Sequence, residues 1–154
     1  MKRIFGTDGV RGIVNEDLTP ELTFRLGKVY GWIIHTKYST SCRVLIGRDT
    51  RLSCGMLESA LSAGLTSQGV NVHLIGVIPT PGLAFLTRTE GFNAGAMISA
   101  SHNLAEYNGI KFFSQYGFKL TDEDELQIEK SLSEYEKNRK IARLVLSCRN
   151  SLIQ

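Results

Sequence analysis

The sequence predicts an α/β fold, a three-layer α/β/α sandwich on a mixed, mostly parallel sheet. Two observations carry that expectation. Short apolar runs alternate with segments whose apolar residues recur at helical spacing. Polar stretches punctuated by glycine or proline follow the runs, as do the loops that carry chemistry at the strand ends of such sheets. A length of 154 residues suits a single hydrophobic core.

The elements follow in order. Arg3–Phe5 reads as a short strand, and Gly6-Thr7-Asp8-Gly9-Val10-Arg11-Gly12, with three glycines in seven positions, reads as an irregular loop holding an arginine. Thr19 then caps a helix with Pro20 at its first position, and Leu22, Leu26, Val29, Tyr30 and Ile33 form one buried face. Val44–Gly47 is a strand followed by the charged loop Arg48-Asp49-Thr50-Arg51. Ser53 is placed to cap a helix through Met56, Leu57, Ala60, Leu61 and Leu65. Val72–Ile75 is a further strand, and Pro79-Thr80-Pro81 precedes a helix near Leu83–Thr89. Ala94–Ser99 delivers Ser101-His102-Asn103 to a turn, Gly109–Phe113 returns as a strand, and Gly117 turns the chain. Thr121 and Asp124 form a capping box, and the acids of Asp122–Glu125 sit where the helix dipole favours them, so a structural role explains them without a metal.

Composition narrows the function. The chain is 42% hydrophobic and 21% charged, as soluble globular domains are. Its net charge of +3 comes from the end of the chain, where Lys137, Arg139, Lys140, Arg143 and Arg149 face no acidic residue. All 15 acids lie before that segment, so a solvated basic tail is expected rather than a nucleic-acid surface. Cys42, Cys54 and Cys148 form no CxxC pair and no even set, which predicts reduced, structural thiols. No signal-peptide pattern and no run of membrane-spanning length is present, so no membrane contact and a cytoplasmic location are expected.

Several chemistries are disfavoured by spacing. His35, His73 and His102 lack metal-ligand spacing. The glycine-rich segments do not match the Gly-x4-Gly-Lys-Ser/Thr loop of nucleotide triphosphatases. Ser101 beside His102 suggests a hydrolase, yet adjacent residues rarely align as nucleophile and base, and no Gly-x-Ser-x-Gly elbow surrounds the serine. For an isolated segment, Ser101 and Asn103 closing a turn through backbone hydrogen bonds would suffice. Arg48, Asp49 and Arg51 either bind a phosphate or tie their loop to its neighbours by ion pairs, with the second role favoured.

Four segments together change this balance. Phe5 to Gly12, Gly47-Arg48-Asp49-Thr50-Arg51, the Ser101-His102-Asn103 turn after Ala96–Ala100, and Asn108-Gly109-Ile110-Lys111 resemble the α-D-phosphohexomutase family in order and spacing. The resemblance covers residues 1–136 as that family's N-terminal domain I, with 137–154 as a divergent basic tail. Ile98–Asn103 with the Gly-Thr-Asp-Gly opening looks most like the branch acting on glucosamine phosphates, beside the mannose and glucose phosphate branches.

The resemblance implies that Ser101 carries a phosphoryl group and that Lys111, Arg11 and His102 serve catalysis. Thr7, Asn103 and Asn108 would lie in the substrate and phosphate loops. Mg2+ would bind through the Ser101 phosphate together with a second-domain loop. The reaction implied interconverts hexosamine 6- and 1-phosphates through a hexosamine or hexose bisphosphate, with a sugar phosphate as partner. Domains II–IV of the family have no counterpart in this sequence, so a shortened form, inactive alone, is expected. A silent remnant that binds sugar phosphate is the alternative. Leu104 stands where the family has proline and Cys54-Gly55 where it has glycine and an aromatic residue, which predicts a looser serine turn.

Overall fold

A computed structural model describes residues 4–38 and 41–138 of the chain. The chain opens with a hairpin, β1 (Phe5–Gly6) and β2 (Gly9–Ile13), paired antiparallel about Thr7-Asp8. The glycine-rich segment is therefore a pair of strands, not a loop, and Arg11 stands on β2. The reason lies in Gly9: at φ +85 it closes the turn, and a Cβ there would strike the Ile110 carbonyl of the strand alongside. Glycine thus permits the pairing here.

Helix α1 (Pro20–Tyr38) begins as expected, with the Leu22 N–H donating to Thr19 Oγ1 at 3.2 Å. Strand β3 (Arg43–Arg48), helix α2 (Cys54–Thr66), strand β4 (Asn71–Val77) and helix α3 (Thr80–Thr89) follow. Strands β5 (Ala94–Ile98) and β6 (Tyr107–Ser114) flank the serine turn. Gly117 turns the chain at φ +76, and α4 (Asp122–Asn138) starts at the capping box, where the Thr121 N–H reaches Asp124 Oδ2 and the Asp124 N–H reaches Thr121 Oγ1, each at 3.2 Å. The basic segment expected at 137–154 lies outside the described residues from 139 onward, as does Cys148.

Among the described residues the sheet has six strands in the order β1-β2-β6-β5-β3-β4. Parallel pairing is confined to β4-β3-β5, while β5-β6, β6-β2 and β2-β1 pair antiparallel. The sheet is mixed, as expected, but it is not mostly parallel: two of its five strand pairings are parallel and three antiparallel. The cause is chain length between strands: β5 and β6 are joined by too few residues for a crossover helix, so β6 must return antiparallel.

Side chains alternate across the sheet and separate two cores. Val44, Ile46, Ala96, Ile98, Ile110 and Phe112 face α1, α2 and α4. Leu45, Met97 and Phe113 face α3, with Leu83 and Phe92. Three layers result, but among the described residues the one helix on the second face is α3, which packs on β3, β5 and β6. Arg11 and Lys111 fall on this second face by alternation from Val10, Ile110 and Phe112. Cys42 and Cys54 are free, buried thiols.

Candidate active site

The site lies where parallel strands β3 and β5 end side by side, the place where open α/β sheets expose their loops. The Asp49 N–H donates to the Ile98 carbonyl at 3.0 Å, which extends the pairing one residue and brings the loop after β3 against the loop after β5. A single arginine holds that second loop. Arg51 Nη2 donates to the carbonyls of Ser101 at 3.0 Å and Asn103 at 2.7 Å. Its Nη1 donates to the carbonyls of Leu104 at 2.6 Å and Tyr107 at 3.0 Å. The turn that leucine in place of proline was expected to loosen is thus held through its own carbonyl.

Asp49 braces this arrangement. Its Oδ2 receives Arg51 Nε at 3.3 Å and the Ser99 hydroxyl at 2.7 Å, and its Oδ1 receives the Arg51 N–H at 2.9 Å and the Cys54 thiol at 3.1 Å. Burial by itself would raise the Asp49 pKa, but these donors outweigh it and hold the carboxyl below its ordinary value of 3.8. Burial pushes the Cys54 thiol up, consistent with a structural sulfur. The Ser99 hydroxyl also accepts the Ser101 N–H at 3.0 Å, so a single chain of bonds runs from Arg51 through Asp49 and Ser99 to the backbone of Ser101.

Ser101 itself is exposed and sits at φ +55, a left-handed conformation that a non-glycine residue keeps only when its surroundings impose it. Its hydroxyl lies 3.3 Å from His102 Nδ1, closer than expected for neighbours in sequence, with donor and acceptor set by the imidazole tautomer. His102 is exposed too. Asn103 closes the turn with its N–H on the Ala100 carbonyl at 3.1 Å.

Arg11 and Lys111 approach from the adjoining strands. Arg11 pairs with Gly109, and a Cβ on that glycine would stand 2.8 Å from Arg11 Cγ and 2.9 Å from the Ser99 carbonyl. The missing side chain is the space across which Arg11 reaches the base of the serine loop. Lys111 lies two residues further along β6, and Asp8 joins the two cations: Lys111 Nζ is 2.9 Å from Asp8 Oδ1 and Arg11 Nη2 is 3.4 Å from Asp8 Oδ2. The Lys111 hydrogen bond and charge hold the Asp8 carboxyl below its ordinary value. Sequence reasoning missed Asp8; its only signal was its place between Thr7 and Gly9 at a hairpin tip. Thr7 is exposed beside it.

Two expected placements turn out differently. Asn108 is fully buried and faces α2, with its Nδ2 donating to Ser53 Oγ at 2.8 Å and Cys54 Sγ at 3.3 Å and its Oδ1 accepting the Gly109 N–H at 2.8 Å. It ties β6 to the start of α2 and has no solvent face for a phosphate. Ser53 makes no side-chain cap on α2: its backbone is already helical at φ -71 and ψ -13, and its hydroxyl faces Asn108 instead. Arg48 pairs with Glu58 at 3.5 Å, and with Arg51 fills the loop-tying role favoured from sequence.

Donors for a metal are few. Among the described residues no group of three or more His, Cys, Asp and Glu side chains is placed to hold an ion. Magnesium requires near-octahedral oxygen coordination, and Asp8 and Asp49 are both engaged by cationic partners. These residues do not by themselves fit that ion. No helix among the described residues is long and apolar enough to cross a membrane.

Comparison with known proteins agrees with this geometry. The family model for phosphoglucomutase/phosphomannomutase, alpha/beta/alpha domain I, matches residues 2–139. A phosphoglucosamine mutase of Oceanobacillus iheyensis is 59% identical over 138 residues, 90% of this chain and 30% of its own. One from Exiguobacterium sibiricum is 58% identical over 136 residues, 88% of this chain and 30% of its own. The crystal structure of a Thermus thermophilus protein described as a candidate phosphomannomutase superposes with a TM-score of 0.77 at 35% identity, covering 83% of this chain and 29% of that one. The chain therefore spans just under a third of the length of the relatives it matches. Because the family model covers residues 2–139, nearly the whole chain, this chain belongs to the phosphoglucomutase/phosphomannomutase family of phosphohexomutases, as its α/β/α domain I.

Proposed function

We propose that this domain supplies the phosphoserine of a phosphoglucosamine mutase, which interconverts glucosamine 6-phosphate and glucosamine 1-phosphate through a hexosamine bisphosphate. The observation that carries the reading is the exposed Ser101 hydroxyl on a turn fixed from behind, with Arg11 and Lys111 on the adjoining strands. The similarity to two phosphoglucosamine mutases supports the choice of a glucosamine phosphate as the sugar.

In this reading the Ser101 phosphate brings close to two negative charges and three acceptor oxygens to the turn. The bond between phosphorus and Ser101 Oγ breaks as a new one forms to a hydroxyl of the sugar monophosphate. The proton of the attacking hydroxyl ends on the departing Ser101 oxygen, relayed through Lys111, which gives one proton to that oxygen as it takes the other and so keeps its charge; the serine returns as a hydroxyl. The bisphosphate then turns over, and its other phosphate returns to Ser101 by the reverse step. Arg11 and Lys111 meet the charge on the transferring group, the main demand of phosphoryl transfer. His102 orients the serine oxygen. A magnesium ion held by the phosphate and by ligands supplied from outside the described residues would stabilise the same charge. The cytoplasm is the compartment this reading implies.

The test mixes the chain with the separately produced remainder of the Oceanobacillus relative and follows glucosamine 1-phosphate formation. Turnover that requires both parts and disappears with Ser101→Ala supports the reading. Undiminished turnover with Ser101→Ala rejects it.

A further inference from the structure

Arg51 has five N–H donors, and five acceptors are present: four main-chain carbonyls of the serine turn and the Asp49 carboxylate. A guanidinium so occupied has no donor left for a phosphate. Its effect on the turn is instead directional. A trans peptide points its N–H opposite to its C=O. Drawing the carbonyls of Ser101 and Asn103 onto Arg51 therefore turns the N–H groups of His102 and Leu104 away from it. Neither N–H has an acceptor among the described residues, while the neighbouring N–H of Asn103 is taken by Ala100 and that of Ser101 by Ser99. Ser101, immediately before His102, is in the left-handed region, a conformation that fixes the direction of the Ser101–His102 peptide.

We propose that Arg51, braced by Asp49, is a positioning residue for phosphoryl transfer: it fixes the serine turn from behind so that the outward N–H groups of His102 and Leu104 receive the phosphate on Ser101. The inference rests on the phosphoserine reading above and adds to it the amide donors and the residue that aims them. Lysine cannot substitute, because one ammonium has three donors and no planar fork with which to span four carbonyls. The covalent chemistry is unchanged; Arg51 touches neither sugar nor phosphate.

The experiment uses the 154-residue chain with phosphoserine installed at position 101 during synthesis, as it stands and with Arg51→Lys. Amide proton and nitrogen shifts are followed as the phosphate is titrated to its dianion. The His102 and Leu104 amide protons should move downfield in the parent chain, and Arg51→Lys should remove more than half of that movement while the β3 and β5 amides keep their shifts. The same variant, in the reconstituted mixture, should lower the rate at saturating substrate by roughly 100-fold, the cost of a misplaced reacting group, and leave the half-saturating concentration within about twofold. Equal amide movement in the two chains, or an unchanged saturated rate, overturns the proposal. Arg51→Ala, which removes every bond of the fork, guards against a lysine that mimics part of it, and must lose at least as much. If Ser101→Ala mixtures still turn over, the phosphoserine reading falls instead, a result the amide titration does not share.

Discussion

The serine turn and the β1–β2 hairpin both bring charge to one site, yet they are held in different ways. The turn is fixed through its main chain, with a guanidinium of low exposure on four carbonyls and a carboxylate behind it. The hairpin is fixed through Gly9 and the buried Glu129, whose Oε1 takes the N–H of Ile4 and of Phe5 at 2.8 Å each, while its functional charges sit in half-exposed side-chain pairs. The difference teaches a division of labour. A bond network without spare donors keeps one geometry, whereas the Asp8 pairs with Lys111 and Arg11, in partial contact with water, are exchangeable, which is what the proposed function requires of cations that receive a phosphate.

That contrast can be broken at several points. Ser101→Ala has the largest expected effect, complete loss of phosphate carried by the domain, with little change in fold because the hydroxyl is exposed. Arg51→Lys follows, with about 100-fold in transfer rate as argued above. Asn108→Ala strikes the scaffold alone. It leaves the Ser53 hydroxyl and the Gly109 N–H without their partner in a buried place, and urea unfolding should show a loss of about 2 kcal/mol.

Asp8→Ala is the mildest for stability, at about 1 kcal/mol or less, because its side chain is 50% exposed and water screens the pairs. It should nonetheless strengthen inorganic phosphate binding near Lys111, measured by phosphorus line broadening. The pH dependence has a definite sign. Asp8 and Asp49 both have folded values below 3.8, so their contributions are present above the unfolded value and are lost as pH falls through the depressed folded ones. Resistance to thermal unfolding should therefore decline below about pH 4, and Asp49→Asn should flatten that decline more than Asp8→Ala, since Asp49 is the less exposed.

Much of the fold is legible before any coordinates. Thr19-Pro20 and Thr121 with Asp124 are local signals, satisfied within one helical turn, and the structure realises both. The hairpin is not local in that sense. Three glycines argue for a loop until β6 is known to lie beside the hairpin, where Gly9 leaves out the Cβ that would strike the Ile110 carbonyl. Ser53 fails as a cap because its backbone is helical rather than extended, and its hydroxyl turns to a tertiary partner, Asn108, that sequence does not reveal. At the site, Ser101 and its neighbours are legible through their motif. Arg51 is readable only as a choice between phosphate and loop, because the carbonyls that decide it belong to residues about 50 positions away. Asp8 is not readable at all without the fold that carries Lys111 to it, 103 residues along the chain.

The most direct measurement follows the phosphorus itself. The reconstituted enzyme is mixed with glucosamine 1,6-bisphosphate labelled on one phosphate, quenched within the first turnover, digested and mapped by mass. The account predicts label on the peptide containing Ser101 and on no other peptide of this chain. Label on His102, on another side chain, or on none while turnover proceeds would contradict it.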